Sequence, residues 1–172
     1  MTDERLGERL WEAIDRLPIK HAGIVFRHYG LPSAERDLLA RRIAEICHRR
    51  RLTLAIGGDE ELARAVGADL VHNPGEPPLH LPFSRSVHSV EEAEAARTAG
   101  AALVFVSPVF ATRSHPGQKP LGVTRARRIA EAAGVPAVAL GGMDEYKFPR
   151  LQRLGFYGWS GIDAWQARDV RT

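Results

Sequence analysis

Cys47 is the only cysteine in 172 residues. No disulfide can brace this fold within the chain, and no cysteine cluster can hold structural zinc. Lysine is almost as scarce: Lys20, Lys119 and Lys147 stand among 24 basic residues that are otherwise arginine. No low-complexity tract, N-terminal apolar signal segment or apolar run of bilayer-spanning length is present, which predicts a cytoplasmic protein with no membrane partner. Of the seven histidines, none pairs with another at helical i, i+4 spacing beside a carboxylate, so no metal-ligand set can be read off the spacing. A Gly-x-Ser-x-Gly nucleophile elbow is also missing. The net charge of +3 and pI near 9.4 come from basic residues scattered among 21 carboxylates. Such scattering excludes a nucleic-acid groove built on one basic face.

What the chain does contain is a recurring punctuation. Val66-Gly67-Ala68, Ala99-Gly100-Ala101, Ala133-Gly134-Val135 and Leu154-Gly155-Phe156 each end a helical pattern with glycine just before an apolar run. Glycine accepts the left-handed conformation that closes a helix C-terminus, so the repeat spells helix, tight turn, strand. Apolar periodicity predicts helices over residues 4–16, 33–48, 60–66, 90–99, 124–133 and 145–154. Strands are predicted over residues 23–27, 52–56, 69–72, 83–87, 102–106, 137–140 and 156–159, with a helical turn after Gly161. Ser89 and Glu92 have capping-box spacing at the start of the fourth helix. Cys47 falls on the apolar face of the second helix, where a thiol acts as a small hydrophobe.

Strands alternating with helices predict an α/β fold with a parallel sheet, a TIM (β/α) barrel. Seven strands are visible where the closed barrel has eight, and the chain opens on a helix, so the missing element is the first strand. This pattern raises the expectation that the chain starts where strand one stops. The loop at Asn73-Pro74-Gly75-Glu76-Pro77-Pro78 is too short for a linker, so residues 1–172 are expected to form a single domain. An open sheet edge would invite a second copy of the chain.

Active residues of such barrels gather at the C-terminal ends of the strands. There, Gly141-Gly142 and Ser160-Gly161 follow the last two strands and suit a phosphate held by backbone N–H groups. Ser86 and His88 share one face of a strand end by alternation. The loop Ser107-Pro108-Val109-Phe110-Ala111-Thr112-Arg113-Ser114-His115, running on to Lys119, offers hydroxyls and cations to an anion. The plain alternative is tight turns, backbone-capping polar groups and a solvated loop.

Several segments in order resemble thiamine phosphate synthase and its sister thiazole tautomerases: Gly67-Ala68-Asp69-Leu70-Val71-His72, Ser86-Val87-His88-Ser89-Val90-Glu91-Glu92-Ala93, Ser107-Pro108-Val109-Phe110-Ala111-Thr112, Pro120-Leu121-Gly122 and Ala139-Leu140-Gly141-Gly142-Met143. The resemblance implies a transferase of thiamine biosynthesis that joins hydroxymethylpyrimidine pyrophosphate to thiazole phosphate and releases pyrophosphate, using Mg²⁺. It implies that Gly142 and Ser160-Gly161 hold the thiazole phosphate, Thr112 lines the thiazole and Ser86 meets the pyrophosphate. Of the family's Q-x-R-x-K strand end, Val25-Phe26-Arg27-His28-Tyr29 keeps only Arg27. The family's metal-binding Asn-Asp pair is Gly57-Gly58 here. The family's second metal carboxylate, just after a V-H-L-G-Q run, is lost where that run reads Val71-His72-Asn73-Pro74-Gly75, leaving only Glu76 or Asp59 as substitutes, and the loop Lys becomes His115 with Lys119 nearby. Losing these carboxylates weakens any Mg²⁺ site. A tautomerase with His88 or His115 as general base, and a non-catalytic phosphate binder, remain as alternatives; the tautomerase subgroup carries a His where Pro108 stands.

Overall fold

All four punctuating glycines take the left-handed conformation expected of them, with φ of +66° at Gly67, +82° at Gly100, +62° at Gly134 and +89° at Gly155. The computed structural model describes residues 1–112, 117 and 119–165. The chain divides into two compact units, Met1–Pro74 with Ile162–Thr172, and Gly75–Gly161.

The first unit carries β1 (Gly23–Phe26), β2 (Thr53–Gly57) and β3 (Leu70–His72), paired in parallel in that order. These strands are buried on both faces and rich in branched aliphatics, as a helix-covered parallel sheet requires. Between them run α2 (Ser33–Arg50) and α3 (Glu60–Ala65), which turn Ala40, Ile43, Cys47 and Ala63 inward. Burial pushes the Cys47 thiol up to about 12, so it is an inert core residue. Asp59 caps α3 by accepting the Leu62 N–H at 2.9 Å. Ahead of β1, the helix expected over residues 4–16 is interrupted. Glu4–Leu6 form a 3₁₀ turn, Gly7 takes φ +49°, and α1 covers Arg9–Asp15. Thr2 N–H donates to the Val25 carbonyl at 2.8 Å, so the first residues run alongside β1.

The second unit carries β4 (Phe83–Val87), β5 (Leu103–Val106), β6 (Ala137–Leu140) and β7 (Gly158–Ser160), again parallel and in order. All seven strands expected from the sequence are therefore present. α4 (Val90–Thr98) and α5 (Gly122–Ala133) pack on one another through small inward residues, among them Ala93, Ala96 and Ala126. α5 starts two residues earlier than the periodicity suggests. Its Gly122 adopts φ +72° and donates to the Val109 carbonyl, so the preceding loop sets where the helix begins. α6 shrinks to Phe148–Gln152 because the Asp144 carboxylate accepts from the N–H groups of Tyr146 and Lys147, making a turn of what read as helix. Half of the expected capping box forms. Ser89 accepts the Glu92 N–H, but the Glu92 carboxylate reaches the N–H of His88 rather than that of Ser89.

Candidate functional site

Strand register in the second unit carries His88, Ser107, Gly141 and Ser160 to the same C-terminal edge, because Val87 pairs with Val106, Val106 with Ala139 and Leu140 with Ser160. The loop after β5 is stitched onto this edge. Val109 N–H donates to the Leu140 carbonyl at 2.8 Å and Phe110 N–H to the Gly141 carbonyl at 3.0 Å. That approach requires the Gly141-Gly142 pair. A β-carbon on Gly141 would lie 2.7 Å from Pro108 Cα, and one on Gly142 would collide with the Ala111 carbonyl. Both residues also have positive φ, +93° and +59°. Their own N–H groups make no hydrogen bond among the described residues, which leaves two adjacent donors at a strand end.

Lys147 completes this corner. Its ammonium donates to the Gly142 carbonyl and to the Asp144 carboxylate, each at 2.6 Å, and lies 5.5 Å from the Phe110 ring centroid. Holding the carbonyl fixes the Gly142 peptide and sets a positive charge beside it. On the far side, His88 Nδ1 lies 2.7 Å from the Ser107 carbonyl. A carbonyl only accepts, so Nδ1 donates, and in the neutral ring the lone pair falls on Nε2. Ser86 and Thr112 are half-buried and Lys119 is exposed. His115 lies outside the described residues.

At the C-terminal ends of β1 and β2 in the first unit, the Arg27 guanidinium has no ion-pair partner among the described residues. Its buried Nε has no hydrogen-bond partner. The Arg27 backbone is held by Thr2 Oγ1, which also lies 3.1 Å from Nδ1 of buried His28. Beside it, Arg36 donates to the His28 carbonyl at 3.1 Å, the Gly57 carbonyl at 2.8 Å and the Asp59 carboxylate at 2.9 Å. Its guanidinium also packs over the rings of Phe26 and Tyr29 at 5.6 and 5.9 Å.

Mg²⁺, which the family resemblance implies, needs several hard oxygen ligands here. Asp59, the carboxylate nearest the end of β2, spends one oxygen on the α3 cap and the other on Arg36. Glu76 is exposed on a loop of the other unit. No group of three or more His, Cys, Asp or Glu residues that would hold a metal exists among the described residues. The described residues do not fit a magnesium site. A cavity of about 900 Å³ in the first unit opens beside Cys47, Thr53 and Asp69, at the N-terminal end of β2, away from these groups.

Sequence reasoning singled out Arg27, Ser86, His88, Thr112, His115, Lys119, Gly141-Gly142 and Ser160-Gly161, and passed over Arg36 and Lys147. A signal for Arg36 was present: a cation in the first turn of a helix opposes the helix dipole and needs a local partner.

Residues 80–165 match the family model described as thiamine monophosphate synthase. Among curated proteins, the chain is 30% identical over 169 residues to "Putative thiamine-phosphate synthase 2" of Aquifex aeolicus, covering 92% of this chain and 91% of that one. It is 32% identical over 157 residues to the thiamine-phosphate synthase of Geobacillus kaustophilus, covering 81% and 69%. Its structure matches thiamine phosphate pyrophosphorylase from Pyrococcus furiosus with a TM-score of 0.81 at 27% identity, over 99% of this chain and 87% of that one. No described helix is long and apolar enough to cross a membrane.

Proposed function

The chain belongs to the thiamine monophosphate synthase family of thiamine biosynthesis, and on that premise we propose that it joins hydroxymethylpyrimidine pyrophosphate to thiazole phosphate with release of pyrophosphate. In this transfer the carbon–oxygen bond to pyrophosphate breaks and a bond to the thiazole forms, so the protein's main task is to meet phosphate charge. The adjacent unbonded N–H groups of Gly141 and Gly142, fixed by the loop after β5 and by Lys147, support a thiazole phosphate seat that Ser160-Gly161 completes. Thr112 lines the thiazole. Arg27, with its buried unpartnered Nε, supports a pyrophosphate-binding role, and the roles of Ser86, Lys119 and His115 follow from the family resemblance.

The observation that carries this reading is the Gly141-Gly142 pair. Calorimetric titration with thiazole phosphate tests it. Binding is expected to disappear in Gly142→Asp, which sets a carboxylate against the anion, and unchanged affinity would remove the seat.

The His88 Nδ1 bond to the Ser107 carbonyl, which orients the ring so that Nε2 is the nitrogen left to accept, favours a second reading, in which His88 is the general base of a thiazole tautomerase. Isomer conversion followed by proton NMR, lost in His88→Gln, would establish it; no conversion by the parent chain would dismiss it.

A further inference from the structure

We propose that Arg36 occupies, with its own positive charge, the ground at the ends of β1 and β2 where the family resemblance puts a divalent cation, so that this chain binds pyrophosphate there without metal. The proposal rests on the transferase reading above and concerns only its charge balance. Arg36 spends three of its five N–H donors on the His28 carbonyl, the Gly57 carbonyl and Asp59, which are the oxygens a cation in this place would need. Its side chain is only 12% exposed, so the charge is a fixed part of the strand-end floor. Gly58 N–H is likewise engaged, by the His72 carbonyl at 2.8 Å. The Tyr29 phenol lies against Gly57, so a side chain at that residue would have to displace the ring. Two guanidinium N–H groups of Arg36 stay uncommitted, and Arg27, whose charge like that of Arg36 is felt at His28, donates through Nη1 to Met1 Sδ at 3.6 Å but has no ion pair among the described residues and no partner for its buried Nε. A divalent cation would meet the Arg36 charge, whereas a pyrophosphate would meet two guanidinium groups that suit its oxygens.

Inorganic pyrophosphate is the probe, titrated calorimetrically into the full chain in EDTA and in excess Mg²⁺, with Mn²⁺ electron paramagnetic resonance reporting protein-bound metal. The parent chain is expected to bind pyrophosphate equally in both buffers, within about twofold, and to bind no Mn²⁺. Arg27→Ala is expected to weaken that binding about tenfold in both buffers. Arg36→Gln removes the charge, retains an amide donor and frees Asp59. It is expected to make pyrophosphate binding depend on Mg²⁺ by about tenfold or more and to produce a bound Mn²⁺ signal. The proposal is overturned by Mg²⁺-dependent binding in the parent chain, by bound Mn²⁺ there, or by no pyrophosphate binding in either buffer. Thiazole phosphate titrated in EDTA separates the two readings, since its Gly142-dependent binding survives failure of this proposal.

Discussion

The phenol of Tyr29 stands where a β-carbon on residue 57 would have to be: with an alanine at Gly57, that carbon would lie 2.8 Å from Tyr29 Cζ and closer still to the hydroxyl. Two departures from the family pattern, an aromatic residue for Lys and a glycine for Asn, therefore lie in contact. The ring needs the bare backbone, and the Arg36 guanidinium then packs over the ring.

Gly57→Ala is accordingly expected to destabilise the chain by about 1–3 kcal/mol, the range for overpacking a filled site. Tyr29→Ala in the same chain should relieve part of that cost, although the Phe26 carbonyl at 3.0 Å keeps relief incomplete. Urea unfolding of both single variants and the double variant measures the coupling. A coupling below about 0.5 kcal/mol would show that the two positions are independent.

Arg36→Met is expected to cost about 2 kcal/mol or more, because it strips donors from two backbone carbonyls and leaves Asp59 without its cation. The exposed Arg127–Glu131 pair on α5 is the internal control. Arg127→Met should shift stability by no more than about 0.5 kcal/mol, as solvated i, i+4 pairs do. Equal costs in thermal melts would deny Arg36 its structural role.

His28 sets an acid limit. Burial holds its imidazole below the ordinary 6.5, aided by the Arg36 and Arg27 charges and opposed by Glu4 and Asp3. The unfolded chain therefore takes up the proton first as pH falls. The stability contributed by neutral His28 is complete above about pH 6.5 and is lost as pH drops through the depressed folded value. His28→Gln should flatten the stability profile just below that pH. The carboxyls of Asp3 and Asp144, both held below 3.8 by hydrogen bonds from Arg5 and Lys147, would still act at lower pH.

The α/β alternation was legible because it rests on local rules. Gly67, Gly100, Gly134 and Gly155 announced helix ends, and β4 and β6 fell at the predicted residues. Boundaries failed where a side chain or a distant loop overrode periodicity, as Asp144 does at α6 and Val109 does at Gly122. At the site, Gly141-Gly142 was visible as a motif, but the reason for the pair was not. That reason is contact with Pro108 and Ala111, more than thirty residues away in sequence. Arg36 was legible only as a cation in the first turn of α2; its partners come from the ends of β1 and β2, which only the fold brings together.

Phosphorus NMR on the chain with hydroxymethylpyrimidine pyrophosphate and thiazole phosphate, in EDTA and then in Mg²⁺, tests the transfer most directly. The expected spectra show a free pyrophosphate resonance growing in both buffers, and none in Gly142→Asp. Broadening of the thiazole phosphate resonance with no pyrophosphate in either buffer would contradict the synthase reading and leave a phosphate-binding protein.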